Sequence, residues 1–352
     1  MNSITVKAEI SYAVNIGCNW DTVVDEILRN HQKVLFIAPK GISNLIDLSA
    51  FLKDGEAELY FVPDGELQKN ISIVQEIWTY LGENDFGRGS AIVGIGGGAT
   101  TDLAGFVAST WLRGIAWYAI PTTLAGMVDA SIGGKTGINV EQGKNLVGSF
   151  YSPRSVEIDV GFLDSLSDRD FSAGLAEIIK SGFIRDISIL VLLENHLDVP
   201  SARSIVTELI TKTAQVKADV VSQDFTESRL REILNYGHTF GHAIEKLSQY
   251  QLRHGEAVSI GLHFASLLSE DLLGLQESNT KRLLDLLNAY GLPSTFPKEK
   301  YPWPDLLRLM MSDKKTRDGS LRFIGLEDVA KVQWLEAVNP DQLQKIYGKI
   351  AR

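Results

Sequence analysis

The segment SAIVGIGGGATTDLAGF, residues 90–106, indicates the fold class of this 352-residue chain. A short apolar run ends in consecutive glycines, and a helical pattern follows. This order places backbone N–H groups and a helix N-terminus where a pyrophosphate can bind. Gly94, Gly96 and Ala99 satisfy the spacing G-x-G-x-x-[GA], which simple turns also produce. No acidic residue ends the next strand-like run, 115–123, so the ordinary dinucleotide fingerprint is incomplete.

The residues around this segment alternate between strand-like and helix-like runs. Short β-rich runs occupy 33–39, 57–63 and 115–123, and helical patterns occupy 66–82 and 101–112. Strands that alternate with helices of this length predict a parallel sheet. We therefore expect a Rossmann-like α/β nucleotide-binding domain over residues 1–160.

The sequence changes character after about residue 165. Apolar residues there recur at i, i+3, i+4 and i+7, and few segments alternate with period two. This pattern predicts an all-α domain over residues 161–352. A cleft between an α/β domain and a helical domain is a common place for a ligand.

The composition excludes several classes of partner. A net charge of −10 and a pI of about 5.2 argue against nucleic acid or an anionic membrane as the main partner. Cys18 is the single cysteine, which excludes an internal disulfide framework. We expect no signal peptide and no membrane span, and hence a cytoplasmic protein.

Three of the six histidines lie in the segment EILNYGHTFGHAIEKLSQYQLRHGEAVSIG, residues 232–261. The spacing of Arg231, Asn235, His238 and His242 predicts that they share one helix face. His254 precedes the next helical pattern. Two histidines from different helices and a carboxylate from a third would leave one open position on a divalent metal ion, as catalytic zinc requires. A single histidine is equally compatible with the surface or the core, and spacing alone does not identify the carboxylate.

Motifs along almost the whole chain resemble the 3-dehydroquinate synthase family, within the sugar-phosphate cyclases. They follow the family's order and spacing: VPDGELQKN (62–70), GGGATTDLAGF (96–106), RGI (113–115), IPTTLAGMVDASIGGKTGIN (120–139), GKNLVGSFYSP (143–153), GLAEIIKSGFI (174–184), GHTFGHAIE with HGEAVSIG, and DKKTRDGSLRF (313–323). One departure is Ala99-Thr100-Thr101, where the family often has Val-Ile-Gly. The missing glycine affects the backbone contacts with the cofactor that are expected at these three residues.

The resemblance implies a metal site and a cofactor site. The implied metal ligands are Glu177, His238 and His254, with zinc as the ion and cobalt able to substitute. The implied NAD+ contacts are Asp64, Gly65, Glu66, Leu67, Gln68, Lys69, Gly98, Ala99, Thr100, Thr101, Asp102, Thr122, Thr123, Lys135, Lys144, Phe162, Leu163, Asp164 and Ser165. It also implies a homodimer with dehydroquinate synthase-like and glycerol dehydrogenase-like architecture.

The resemblance also implies residues that contact a phosphorylated sugar acid. Those implied in catalysis are Lys135, Lys180, Glu227, Asn235, His242 and Asp129, and those implied in substrate binding are Arg113, Lys144, Asn145, Lys217, Arg231 and Lys314. Lys135 and Lys144 lie in glycine-rich segments that we expect to be loops. Each cation taken singly is compatible with a surface charge. Arg231 is expected to bind the substrate carboxylate, and the alternative is a helix-surface arginine paired with Glu227.

The implied activity is conversion of 3-deoxy-D-arabino-heptulosonate 7-phosphate into 3-dehydroquinate and phosphate. The expected course is transient NAD-dependent oxidation, phosphate elimination, reduction and intramolecular aldol closure, with NAD regenerated in each cycle. Three alternatives remain open. They are another cyclase of the 2-deoxy-scyllo-inosose synthase type, a metal-dependent polyol dehydrogenase of the glycerol dehydrogenase type, and an NAD-binding protein without catalysis.

Overall fold

The computed structural model describes residues 1–49, 51–52, 55–314 and 321–352, without the side chains of 312–314. The described residues form two compact units. Unit 1 comprises Met1–Leu166 and Lys217–Thr226, and unit 2 comprises Ser167–Val216 and Glu227–Arg352. The two continuous domain ranges expected from the sequence stay a prediction. No helix among the described residues is long and apolar enough to cross a membrane.

A seven-stranded sheet forms the centre of unit 1, with the strand order β1-β2-β9-β6-β5-β3-β4. All its neighbouring strands are parallel except β1 and β2. The strands are β1 (Asn2–Val6), β2 (Tyr12–Ile16), β3 (Val34–Pro39), β4 (Ala57–Val62), β5 (Ala91–Gly96), β6 (Ala116–Pro121) and β9 (Ser155–Ile158). Every residue of β3 and β5 is buried, as expected for central strands covered on both faces. The predicted parallel α/β sheet is confirmed.

The strand order reverses between β3 and β5. The chain passes from β3 outward to β4, then returns to β5 and proceeds to β6 on the other side. Ligands of open parallel sheets bind outside the carboxyl ends of the strands at such a switch point. A Cβ atom on Gly96, at the end of β5, would lie 3.0 Å from Cδ of Pro39, at the end of β3. The glycine therefore allows the two strand ends to approach closely at this position.

Three helices and a hairpin complete the main elements of unit 1. The helices are α1 (Trp20–Asn30), α2 (Ile71–Glu83) and α3 (Gly98–Thr110), and the hairpin pairs β7 (Lys135–Val140) with β8 (Gly143–Phe150). The helix predicted from residue 66 begins at Ile71, because the side chain of Asn70 accepts a hydrogen bond from Ile73 N at 3.0 Å. Residues Gly65–Gln68 form a separate 3₁₀ turn.

Unit 2 is mainly helical. Its helices are α4 (Asp168–Ile184), α5 (Ile187–Glu194), α6 (Val199–Ser204), the first part of α7 (Val206–Gln223), α8 (His238–Leu247), α9 (His254–Leu273), α10 (Glu277–Ala289), α11 (Trp303–Lys314) and α12 (Pro340–Ile350). The helical character is confirmed, with one addition to the all-α prediction: β10 (Arg322–Asp328) and β11 (Lys331–Glu336) form an antiparallel hairpin. The core includes Phe240 of α8 stacked on Phe264 of α9, with ring centroids 4.1 Å apart.

Two local predictions were wrong. Residues 230–247 do not form one helix, because Gly237 has φ +80° and separates the 3₁₀ helix Leu230–Asn235 from α8. Arg231 and Asn235 therefore do not share a helix face with His238. Lys135 and Lys144 lie at the starts of β7 and β8 rather than in loops, because antiparallel pairing of residues 135–150 supplies their backbone hydrogen bonds.

Candidate active site residues in two units

A carboxylate and two imidazoles converge in unit 2. Glu177, in the middle of α4, is 1% exposed, and its Oε1 lies 3.4 Å from His238 Nε2 and 3.2 Å from His254 Nε2. His238 begins α8 and His254 begins α9. Three helices thus each contribute one of the residues predicted as metal ligands.

The hydrogen bonds of the two imidazoles leave the same ring nitrogen facing Glu177. His238 Nδ1 lies 3.1 Å from the Tyr236 carbonyl oxygen, and His254 Nδ1 lies 3.2 Å from Glu245 Oε2. An oxygen of this kind accepts a hydrogen bond from Nδ1–H, which leaves the Nε2 lone pair for a metal ion. Both oxygens of Glu177 are buried, and they face Lys180 Nζ and the Nε2 atoms of His238 and His254. These residues therefore fit a divalent metal ion that takes one carboxylate and two Nε2 ligands.

His242 lies beside this group. Ring nitrogens of His238, His242 and His254 all lie within 4.8 Å of one another, so three imidazoles form a second possible donor set. The ring centroids of His238 and His242 are 5.2 Å apart in an edge-to-face arrangement. Glu177 is in contact with His238 and His254, which favours the set predicted from the sequence.

The titration of the three predicted ligands reflects burial and mutual charge. Burial raises the pKa of Glu177, but the charges of Lys180 and His238 outweigh burial and hold the pKa well below its usual range. Burial, and then the Lys180 charge, lower the pKa of His238. Burial lowers the pKa of His254, yet hydrogen bonds to Glu177 and Glu245 outweigh burial and raise it to about 10. Burial and the neighbouring charges therefore oppose each other at Glu177 and at His254.

Glycines allow the three helices of this centre to approach closely. A Cβ atom on Gly255 would overlap the carbonyl oxygen of Ala173 in α4, and one on Gly261 would overlap the carbonyl oxygen of Gly237. Gly255 follows His254, and Ala173 lies one turn before Glu177 on α4. These backbone approaches bring α4, α8 and α9 near enough for their side chains to meet.

Among the other predicted residues of unit 2, Lys180 contacts this centre. Lys180 is 2% exposed and forms an ion pair with Glu177 one turn away. Asn235 Nδ2 donates to Glu227 Oε1 at 3.1 Å, and Glu227 has φ +59°. Arg231 is 1% exposed, which rules out the alternative of a helix-surface arginine. The side chain of Lys314 lies outside the described residues.

In unit 1 the predicted cofactor residues follow the carboxyl ends of parallel strands. Asp64–Lys69 follow β4, Gly98–Asp102 begin α3 after β5, and Thr122 and Thr123 follow β6. The N-cap of α3 is Gly97, which has no side chain to bond the first-turn N–H groups. A Cβ atom on Gly98 would lie 2.7 Å from Cβ of Ala130. An N-terminus without a side-chain cap at the switch point fits a dinucleotide phosphate.

Side chains of unit 1 connect several of these segments. Lys69 Nζ donates to Asp102 Oδ2 and to Asn145 Oδ1, each at 2.5 Å. Burial raises the pKa of Asp102, although the Lys69 charge lowers it. Asn139 Nδ2 donates to Glu66 Oε2 at 2.7 Å. Predicted NAD and substrate residues therefore belong to one hydrogen-bonded network.

The remaining predicted residues of unit 1 are more dispersed. Lys217 Nζ forms an ion pair with Asp129 Oδ1 at 2.5 Å. Arg113 and Lys135 are exposed, and Lys144 Nζ lies 3.8 Å from Glu66 Oε1. The segment Phe162–Ser165 lies in the 3₁₀ helix Val160–Ser165, where Phe162 contacts the ring of Trp20.

Sequence analysis did not single out two residues that contact the predicted site. Glu245 contacts His254 Nδ1, and Asn139 bridges Glu66 and the backbone N–H of Asn145. Glu245 does lie within the GHTFGHAIE motif, and that membership was the available signal.

Known family models and relatives match this chain over most of its length. The family model for the 3-dehydroquinate synthase N-terminal domain matches residues 59–173, and the model for the C-terminal domain matches residues 174–316. A 3-dehydroquinate synthase of Streptomyces avermitilis is 50% identical over 299 residues, which cover 84% of this chain and 81% of the relative. One from Mycolicibacterium gilvum is 43% identical over 356 residues and covers 99% of this chain and 98% of the relative.

Two solved structures share the fold. A 2-epi-5-epi-valiolone synthase from Streptomyces hygroscopicus with NAD+ and Zn2+ bound has a TM-score of 0.88 and 25% identity, and covers 99% of this chain and 98% of its own. A 2-deoxy-scyllo-inosose synthase in complex with carbaglucose-6-phosphate, NAD+ and Co2+ has a TM-score of 0.86 and 24% identity, with 99% of both chains covered. The latter likeness shows the fold alone.

Proposed function

The chain belongs to the 3-dehydroquinate synthase family, and we propose that it converts 3-deoxy-D-arabino-heptulosonate 7-phosphate into 3-dehydroquinate and phosphate. The enzyme is a phosphate-eliminating cyclase. The observation that carries the proposal is identity of 43–50% to 3-dehydroquinate synthases over most of the chain. The contacts of Glu177 with His238 and His254 support it independently.

NAD+ and one divalent metal ion are the proposed cofactors. NAD+, when bound, supplies a hydride acceptor for transient oxidation of the substrate and a donor for the later reduction. Zn2+ or Co2+, when bound, supplies a Lewis acid at a substrate oxygen. Glu177, His238 and His254 would hold the metal, and the N-terminus of α3 with Lys69 and Asp102 would bind NAD+. We also propose a cytoplasmic location and a homodimer, as expected from the family.

The chain's own residues would bind and orient the substrate. Lys180 is buried beside Glu177 and can donate a hydrogen bond to a substrate oxygen near the metal ligands. His242 faces the same group of imidazoles and can donate to or accept from that substrate. We assign the phosphate to Lys135, Lys144, Arg113 and Lys314, because three donors on each ammonium and five on each guanidinium suit phosphate oxygens.

We assign the substrate carboxylate to Arg231, assisted by Lys217. The guanidinium of Arg231 is buried, and a planar fork binds a carboxylate through two parallel hydrogen bonds that lysine cannot reproduce. This assignment distinguishes the proposal from cyclases whose substrate lacks a carboxylate. The likeness to 2-deoxy-scyllo-inosose synthase makes such a cyclase the second candidate.

The proposal is tested by incubating the purified protein with the heptulosonate phosphate, NAD+ and Zn2+. We expect phosphate and 3-dehydroquinate in equal amounts, many turnovers per NAD+, and no steady rise of NADH absorbance. One NADH per turnover would instead identify a polyol dehydrogenase. Faster turnover of a hexose phosphate would identify the second candidate.

Three variants test the assigned residues in the same assay. Arg231→Lys is expected to lower kcat/KM by tenfold or more with metal content and NAD+ affinity unchanged, since removing one partner of a desolvated charge pair typically costs about 2–5 kcal/mol. Arg282→Lys is the control, because Arg282 forms a similar fork with Glu194 away from the assigned residues. His254→Ala should lose the metal, whereas His242→Ala should retain it and turn over slowly.

A further inference from the structure

The two histidines of the predicted metal centre are held in place in different ways. The ring of His238 is nearly buried, with 10% of its side chain exposed, and its Nδ1 contacts a neutral backbone carbonyl. The side chain of His254 is 39% exposed, and its Nδ1 contacts the carboxylate of Glu245. Packing therefore restricts the ring of His238 more than it restricts the ring of His254.

Glu245 is suited to hold a ring in place. Its side chain is 7% exposed, and its backbone oxygen accepts hydrogen bonds from Ser248 Oγ at 2.7 Å and Tyr250 N at 3.1 Å. These bonds secure the last turn of α8. The carboxylate contacts His254 in the first turn of α9. This contact therefore links α8 and α9, and each of these helices provides a predicted ligand.

We propose that Glu245 is a positioning residue that holds His254 with Nδ1 protonated and Nε2 directed at the position next to Glu177. The inference rests on the metal centre of the proposed function. A carboxylate behind a metal-bound imidazole fixes the ring orientation and increases the donor strength of the coordinating nitrogen. Packing restricts the ring of His238, and Glu245 restricts the more exposed ring of His254.

The test measures release of Co2+ from the full-length holoenzyme into excess chelator. The release rate reports the bound state, and it does not depend on how strongly the metal-free imidazole holds its proton. We expect release to be about 10–100-fold faster in Glu245→Gln, and at least as fast in Glu245→Ala, because partners of this kind change metal affinity by that factor. The glutamine amide oxygen can still accept from Nδ1–H, so Gln should be the milder variant.

Glu270→Gln is the matched control, because it also replaces a glutamate carboxylate with an amide. Glu270 lies in α9, roughly 24 Å along the helix axis from His254. Its release rate should equal that of the wild type. The absorption spectrum of bound Co2+ should change in both Glu245 variants and remain unchanged in the control. A role limited to fold stability would lower the unfolding midpoint of the Glu245 variants without changing the spectrum or the release rate.

Release from Glu245→Gln within twofold of the wild type, with an unchanged spectrum, would overturn the inference and leave the metal centre intact. A wild-type protein that binds no stoichiometric divalent metal would overturn the metal centre and this inference together. The two failures are therefore distinguishable in one experiment.

Discussion

The two units each contain a carboxylate paired with a buried lysine, and the two carboxyl groups differ in the direction of their pKa shift. In unit 2 the pKa of Glu177 is held well below its usual range by Lys180 and His238, despite burial. In unit 1 burial raises the pKa of Asp102, although Lys69 lies at 2.5 Å. Glu177 is 1% exposed and Asp102 is 19% exposed, so exposure alone would predict the opposite order.

The difference follows from the charges around each pair. Glu177 contacts Lys180, His238 and His254, whereas Asp102 has Lys69 beside it and the negative charge of Glu66 nearby. A carboxylate kept anionic in a dry site is suited to bind a metal cation. A carboxyl group that takes up a proton more readily is suited to hydrogen bonding. Similar pairs are therefore suited to different chemistry in the two units.

The largest expected effect is that of Lys180→Met. Removing one partner of a buried ion pair leaves the other charge uncompensated, which typically costs about 3–5 kcal/mol. We expect the free energy of unfolding to fall by about that amount at pH 7, as measured by urea denaturation. Lys281→Met is the control, because Lys281 and Asp285 form an exposed helix pair worth about 0.3–0.5 kcal/mol. If the free energy of unfolding falls no more than in the control, the histidines alone compensate the negative charge of Glu177.

Lys69→Met should have a smaller effect, of about 1–3 kcal/mol at pH 8, the cost of an unsatisfied buried polar group. Asp102 can become neutral by taking up a proton, since its pKa is already raised. The loss should therefore shrink as the pH falls, because protonation removes the unpaired charge. Urea denaturation at pH 5 and pH 8 measures this change, and an equal loss at both values would contradict the comparison.

The smallest effect concerns Glu157, a buried carboxyl on β9. Among the described residues no lysine or arginine forms an ion pair with it, and Asn15 Nδ2 donates to its Oε1 at 2.9 Å. Burial raises its pKa above the ordinary 4.5. The folded state then holds the proton more tightly than the unfolded state, so the stabilising contribution is present below about pH 4.5 and is lost as pH rises through the raised pKa.

Glu157→Gln should remove this part of the pH dependence. We expect the free energy of unfolding of the variant to match that of the wild type near pH 4.5. At pH 8 we expect it to be higher than the wild-type value by about 1 kcal/mol or less. Glu141→Gln, an exposed residue of the same unit, is the control and should follow the wild-type curve. A variant less stable than the wild type at pH 8 would show that the Asn15 contact outweighs the cost of burial.

Much of unit 1 could be predicted from local sequence. The strands β3, β4, β5 and β6 and the helix after Gly96–Gly98 were identified, because apolar strands and glycine turns are local patterns. The strands β1, β2 and β9 and the hairpin β7–β8 were not. The strands β2 and β9 pair across distant parts of the chain, and most side chains of β1 and β8 are exposed.

The helix break at Gly237 could not be predicted from periodicity. The apolar pattern of residues 230–247 continues through Gly237, but the backbone there has φ +80°. Gly261 of α9 approaches the carbonyl oxygen of Gly237 so closely that a Cβ atom on Gly261 would overlap it. The break thus accompanies a contact between two segments far apart in the chain.

The sequence by itself determined which residue types are available to a metal and a nucleotide. It also determined the pairing of Glu177 with Lys180, because residues one helical turn apart meet wherever the helix forms. Tertiary structure decided which ring nitrogen each histidine presents and which carboxyl group each lysine neutralises. These choices depend on Tyr236, Glu245, Asp102 and Asn145, whose contacts join separate elements. A side chain's protonation and orientation are set by burial and neighbouring charge, and both exist only once the distant segments have packed together.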